Sequence, residues 1–238
     1  MTRGIMNFRI YIQTIFSLII FSTTFPSNAI MNPESSMLFI EEAKGGGSMN
    51  VNNQEDREAL LYVKVLNLPD DPQPKLFATQ PVMRVGAHKT QRVRFILVSK
   101  QPLQHEHLKR VVFEGINPKK KGNENTIDLN IRHNIPVIIH PKSLPIIADP
   151  WKELVWSLQG NTLTVNNPGK YVVRLAQEIT LLPSNKTALL EKAYILPGQS
   201  LKVQVKTPEI LASTQKVSIE TLSKYGYETG MVEMDITH

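Results

Sequence analysis

Ile127-Asp128-Leu129-Asn130-Ile131-Arg132-His133-Asn134-Ile135-Pro136-Val137-Ile138-Ile139 is the stretch that decides the fold. Its odd positions are apolar except for His133, and its even positions are polar as far as Asn134, then Pro136 and Ile138. Alternation with a period of two, held over so many residues, describes a single long strand with one apolar face and one largely polar face. Ordinary strands run to about 5–6 residues, so part of this one extends past what its own domain would cover. Such a strand can be an unusually long core strand of a sandwich, or an edge that pairs with another chain.

Working outward, helical periodicity is scarce. Short β-rich runs recur at 36–41, 60–66, 92–98, 109–114, 162–165, 171–175, 201–205 and 216–221. Turn-forming residues separate them, including Gly45-Gly46-Gly47, Pro69–Pro74, Val85-Gly86-Ala87, 117–123, Gly160-Asn161 and Pro197-Gly198. This spacing predicts an all-β protein of sandwich type. Pro141, Pro145 and Pro150 interrupt the pattern between His140 and Pro150, and Trp151 and Trp156 follow directly. Proline discourages continuation of a strand, so this segment is the expected elbow between two domains, 30–141 and 142–238.

The chain opens with Arg3 and Arg9, an apolar run at 10–21 and the small residues Ser27-Asn28-Ala29. That order is expected of a cleavable export signal over residues 1–29. The apolar run is too short for a comfortable membrane span, so the expected mature chain is exported and not membrane-embedded. Removing Arg3 and Arg9 lowers the formal charge from +6 to +4. No cysteine is present, which removes thiol chemistry and disulfide staples and leaves stability to burial.

Little in the sequence points to catalysis. His105-Glu106-His107 places two histidines at i, i+2, which is not the i, i+4 spacing that presents two imidazoles to zinc on a helix. A third ligand from His88 or His133 would be needed for a metal reading, and a polar loop between strands is the plainer one. Asp70-Asp71 lies among prolines and reads as a turn, and Gly45-Gly46-Gly47 lacks the Lys-Ser/Thr that a phosphate loop requires. Lys119-Lys120-Lys121 reads as a solvated hairpin tip, and no basic face with interleaved aromatics argues for nucleic acid. Asn185-Lys186-Thr187 matches a glycosylation sequon. The sequence thus predicts no catalytic residues, no metal site and no cofactor.

The order of short motifs resembles the PapD-like periplasmic chaperones of pilus assembly. Pro81, Val85-Gly86-Ala87-His88-Lys89 and Val93-Arg94-Phe95 are similar to that family's TPP…PG…VRL segment. Arg110–Pro118 is similar to its strand before the long hairpin, and Ile127–Pro141 to its long strand ending in proline. Asn166–Tyr171, Pro197-Gly198-Gln199-Ser200 and Tyr225-Gly226 fall where the family has its second-domain motifs. The resemblance implies two immunoglobulin-like sandwiches set at an angle, a periplasmic location and no enzymatic activity. It implies pilus or fimbrial subunits and an outer-membrane usher as partners, with self-capping as a homodimer left open.

The family's mechanism implies a role for the opening stretch. A subunit lacking its last strand is completed by alternate apolar residues of the chaperone, here Ile127, Leu129 and Ile131, by β-augmentation. Each buried aliphatic side chain contributes about 1.5–3 kcal/mol. Ile135, Val137 and Ile139 are expected in the chaperone's own core. The resemblance also implies an arginine and a lysine in the cleft that hold the subunit's terminal carboxylate, and alignment places Ser36 and Pro136 at those positions. Arg132 is the candidate replacement cation, with His133, His140 and Lys142 behind it. The alternative is a chaperone-like accessory or structural protein of a pilus that does not capture subunits. A metal-binding or enzymatic reading of His105 and His107 is the third.

Overall fold

The computed structural model describes residues 31–116, 131–223 and 227–237. The expected export signal, the donor positions Ile127 and Leu129, the Lys119–Lys121 triplet and the Tyr225-Gly226 motif lie outside these residues, apart from small flanks.

The first domain contains β1 Met31–Pro33, β2 Leu38–Glu41, β3 Gly46–Asn53, β4 Ala59–Asn67, β5 Lys75–Ala78, β6 Val82–Val85, β7 Thr90–Val98, β8 His107–Ile116 and β9 Arg132–His140. They are hydrogen-bonded in the order β5-β7-β3-β2-β9-β8-β4-β6, with β1 added on β3. The hinge of this order is the parallel pair β2–β9, in which Leu38, Phe39, Ile40 and Glu41 lie opposite Val137, Ile138, Ile139 and His140. On its other side β9 pairs antiparallel with β8 over its whole length, from Arg132↔Glu114 to Ile139↔His107. The two layers meet across a core of Ile40, Val51, Leu61, Val93, Phe95, Val111, Phe113, Val137 and Ile139 among others. Phe95 and Phe113 touch edge to face at 6.4 Å, a favoured geometry for aromatic rings.

The second domain contains β10 Val155–Gln159, β11 Thr162–Asn166, β12 Val173–Leu182, β13 Lys186–Leu190, β14 Tyr194–Ile195, β15 Ser200–Gln204, β16 Lys216–Leu222 and β17 Glu228–Thr237. Their order is β13-β15-β11-β10-β17-β16-β12-β14, with β12 also pairing β13. A parallel pair, β10–β17, again joins the layers. Trp151, carried on a short 3-10 turn at Pro150–Glu153, and Trp156 both enter this core. The fold is therefore two immunoglobulin-like sandwiches joined by a proline-bearing segment.

Two local readings of the sequence need correction. Gly45-Gly46-Gly47 is a turn only at Gly45, which has φ +65; Gly46 and Gly47 begin β3. A Cβ on Gly46 would lie 2.1 Å from the Phe95 carbonyl oxygen, so glycine is present for close approach of two strands. The even face of the long strand is also not polar along its length. Pro136, Ile138 and His140 are buried, because the second domain covers that end.

Replacing Gly46 by alanine should cost about 1–3 kcal/mol from overpacking, seen as a lower urea midpoint; an unchanged midpoint would show that β3 and β7 can separate freely.

Candidate functional site

β9 presents different chemistry on its two faces and at its two ends. Ile135, Val137 and Ile139 point into the first core. Ile138 points the other way and packs with Met37, Leu108, Val172 and Leu196, a small apolar cluster drawn from both domains. The pairing with β2 begins only at Val137. Arg132 to Pro136 are paired with β8 on one side and with no second strand among the described residues, the kind of edge that strand addition requires. Ile131 stands at that start and is half-buried. His133 is on the same face as Ile131, opposite Phe113. Burial lowers its pKa, so it is neutral rather than a cleft cation, and its Nε2 is buried without a hydrogen-bond partner among the described residues.

The cleft positions inferred from sequence fall as follows. Pro136 is buried on the cleft face, opposite Arg110 of β8. Ser36 is exposed, whereas its neighbour Met37 is in the interdomain cluster. Arg132 forms a two-pronged ion pair with Glu114, Nη2 at 2.8 Å and Nε at 3.0 Å from Oε2, so its charge is already matched. Lys142 is tied through its backbone N–H to Glu42 at 2.9 Å.

Two arginines that the sequence did not single out lie in the cleft instead. Arg110 shares the face of Pro136 and donates from Nε to Asn134 Oδ1 at 2.7 Å, and from Nη2 to the Asn134 carbonyl. Arg174, on β12 of the second domain, donates to the Met37 sulfur at 2.7 Å. Desolvation lowers the pKa of both, and the charge of Arg110 lowers that of Arg174 further. Arginine stays protonated in proteins, so this is a pair of partly desolvated like charges. Neutral amide, carbonyl and thioether groups partner them, and a carboxylate placed between them would satisfy both forks. The signal in sequence was parity: Arg110 is directly across β8 from Pro136, legible only once the register is known.

The cleft is held by charged groups that read as loop residues. Asp70 accepts from Lys192 Nζ at 2.6 Å and Gln199 Nε2 at 3.2 Å, both in the second domain. Burial alone would raise its pKa, but these bonds dominate and hold it below the ordinary carboxylate range. Asp71 accepts from the Leu108 backbone N–H at 2.7 Å, bonds the His107 ring at 2.8 Å and lies 3.7 Å from Lys109 Nζ. Lys109 is fully buried and also donates to the carbonyls of Asp71 and Gln73. The Asp70-Asp71 turn is therefore a clamp between domains and a counter-charge inside the first one. Glu106 bridges His140 and the Val172 backbone, at 2.8 and 2.9 Å. The His105 and His107 rings lie 4.4 Å apart at a tilt of 41°, and no metal-holding cluster occurs among the described residues.

Comparison with known proteins places the fold. Residues 30–145 match the pili and flagellar-assembly chaperone PapD N-terminal domain, and residues 149–231 match the pili assembly chaperone PapD C-terminal domain. The chain belongs to the PapD family of pilus assembly chaperones. It is 40% identical over 207 residues to the uncharacterized fimbrial chaperone YhcA of Escherichia coli K12, covering 87% of this chain and 90% of that protein. The family is a non-enzymatic class. Among solved structures, a chain from the Salmonella enterica SafA pilin–SafB chaperone complex superposes with a TM-score of 0.71 at 17% identity, covering 89% of this chain and 98% of that one. The Escherichia coli chaperone DraB superposes at 0.69 with 19% identity, covering 86% and 98%.

Asp71→Ala should destabilise by about 3–5 kcal/mol, because it strands the buried Lys109 charge. The double variant Asp71→Ala/Lys109→Met should recover much of that loss in urea unfolding; no recovery would mean that Asp71 acts through Leu108 and His107 alone.

Proposed function

We propose that this protein acts in the periplasm as a chaperone that captures pilus or fimbrial subunits by lending them its long strand. In this reading, residues 1–29 are removed on export, 30–141 carry the capture strand, and 142–238 close the cleft. The observation that carries it is the split character of β9. Its C-terminal half is locked between β2 and β8, while its N-terminal half is paired, among the described residues, only with β8. An edge of that kind, preceded by alternating apolar residues, is suited to β-augmentation. Ile127, Leu129 and Ile131 are the donor residues in this proposal. No helix among the described residues is long and apolar enough to cross a membrane.

Anchoring follows from the cleft chemistry. Arg110 and Arg174 take the place that family resemblance assigns to a cation pair at the Ser36 and Pro136 positions, and they receive the subunit's terminal carboxylate. An outer-membrane usher would then accept the loaded chaperone. An unloaded chaperone has the same open edge, so self-capping as a homodimer is the alternative to a free monomer.

The test is co-purification from the periplasm with co-expressed neighbouring subunits, read by native mass spectrometry. Leu129→Asp with Ile131→Asp should leave the chaperone folded and abolish the complex; retained capture overturns the donor assignment. Arg110→Ala and Arg174→Ala should each weaken subunit binding about 10- to 100-fold, the loss of one charge-assisted hydrogen bond. Unchanged affinity in both would place the anchor elsewhere.

A further inference from the structure

His140 is the last residue of β9, and both of its ring nitrogens face oxygen atoms. Nδ1 lies 2.8 Å from Glu106 Oε1, and Nε2 lies 3.0 Å from the carbonyl oxygen of Leu144. A peptide carbonyl only accepts, so Nε2 carries a hydrogen. A second hydrogen must lie between Nδ1 and Oε1, since without it two lone pairs would face each other. The histidine and glutamate side chains there are 6% and 7% exposed, so water cannot relieve that repulsion. The pair therefore holds one proton more than a carboxylate beside a neutral imidazole.

The same two residues fasten the domains. Glu106 Oε2 accepts from the Val172 backbone N–H at 2.9 Å, and the Glu106 backbone N–H donates to the Lys170 carbonyl at 2.8 Å. The His140 ring lies 5.4 Å from that of Phe39 and 6.4 Å from that of Tyr171. Val172 is two residues from Arg174, which lines the same interdomain pocket.

The other ionisable groups facing the pair do not supply this proton. The Tyr171 hydroxyl donates to the Pro145 carbonyl at 2.8 Å; burial, then Glu153 and Glu106, raise its pKa, so it stays neutral. Arg174 stays cationic. Lys170 and Lys142 touch the region through their main chains.

We propose that the proton shared by Glu106 and His140 is a pH-operated latch between the domains, and that it positions Arg174 in the cleft. Separated glutamate and histidine side chains titrate near about 4.3 and 6.5. The undocked groups, open to water, give that proton up as pH rises, whereas the docked geometry requires it. Burial first, against the bonds from His140 and Val172, raises the Glu106 pKa, which has the same sign. The docked geometry therefore binds a proton that the separated groups release, so docking is favoured at low pH and weakens as pH rises. The consequence for subunit anchoring rests on the capture reading; the latch itself does not.

The test uses the free, full-length mature protein. The chain has no cysteine, so Lys100→Cys and Lys186→Cys place one spin label on each domain. The wild-type distance distribution should be narrow at pH 6 and broaden reversibly by pH 9. Glu106→Gln should stay narrow at both, since an amide can donate to a neutral Nδ1 and still accept from Val172. His140→Arg, a permanent cation, should also be insensitive to pH. A wild-type distribution unchanged from pH 6 to pH 9 overturns the latch, whether or not either variant folds. So does broadening of both variants in parallel with wild type. Failure of subunit capture would leave these distances moving with pH, whereas failure of the latch would leave capture intact.

Discussion

Everything in this molecule depends on β9 being buried on two faces by two different partners. Successive side chains of a strand point to opposite sides, so one short run serves two interfaces at once. Ile135, Val137 and Ile139 complete the first core. Ile138 and His140 form the floor of the contact with the second domain. A slip of one residue would exchange the two sets and place the His140 ring in the hydrocarbon core. Register is pinned from both sides, by the parallel β2 and the antiparallel β8.

Toward Arg132 no second neighbour pairs with β9 among the described residues. The strand passes from a bracketed segment to one paired on a single side, and the capture proposal rests on that change. Rigidity at one end supports exposure at the other: an edge offered to a partner costs less ordering on binding when its continuation is already fixed.

Polar groups at the interface follow the rule that buried charge must be matched. Lys109 is on the core side of β8 and survives there because Asp71 and two carbonyls surround it. Asp70, one residue earlier, faces outward to Lys192 and Gln199. Arg110 and Arg174 are the exception, two cations whose described partners are neutral. The Asp70–Lys192 ion pair is fixed between the domains, whereas Arg110 and Arg174 are partnered by neutral groups.

How much of this was legible without coordinates depends on the range of the interaction involved. Alternation along Ile127–Ile139, the proline elbow and the tryptophans after it are local patterns, and they specified an all-β chain in two units. The strand β3 was obscured because Gly46 and Gly47 look like loop, although their reason for being glycine is a neighbouring strand far away in sequence. The strand β17 was missed because it is largely exposed, with Ile236 the fully buried position in its burial pattern. The cleft was the least legible part. Ser36 and Arg132 were read from position along the chain, whereas Met37, Arg110 and Arg174 meet through pairing between strands and between domains. Glu106 gave no sign that it would bridge to His140. Sequence alone determined that the chain is all-β in two units and where its strongly alternating strands run, because those follow from neighbours one or two residues apart. Tertiary structure alone decided which charges meet in the cleft, because that depends on the register of β8 against β9 and on how the second domain is seated.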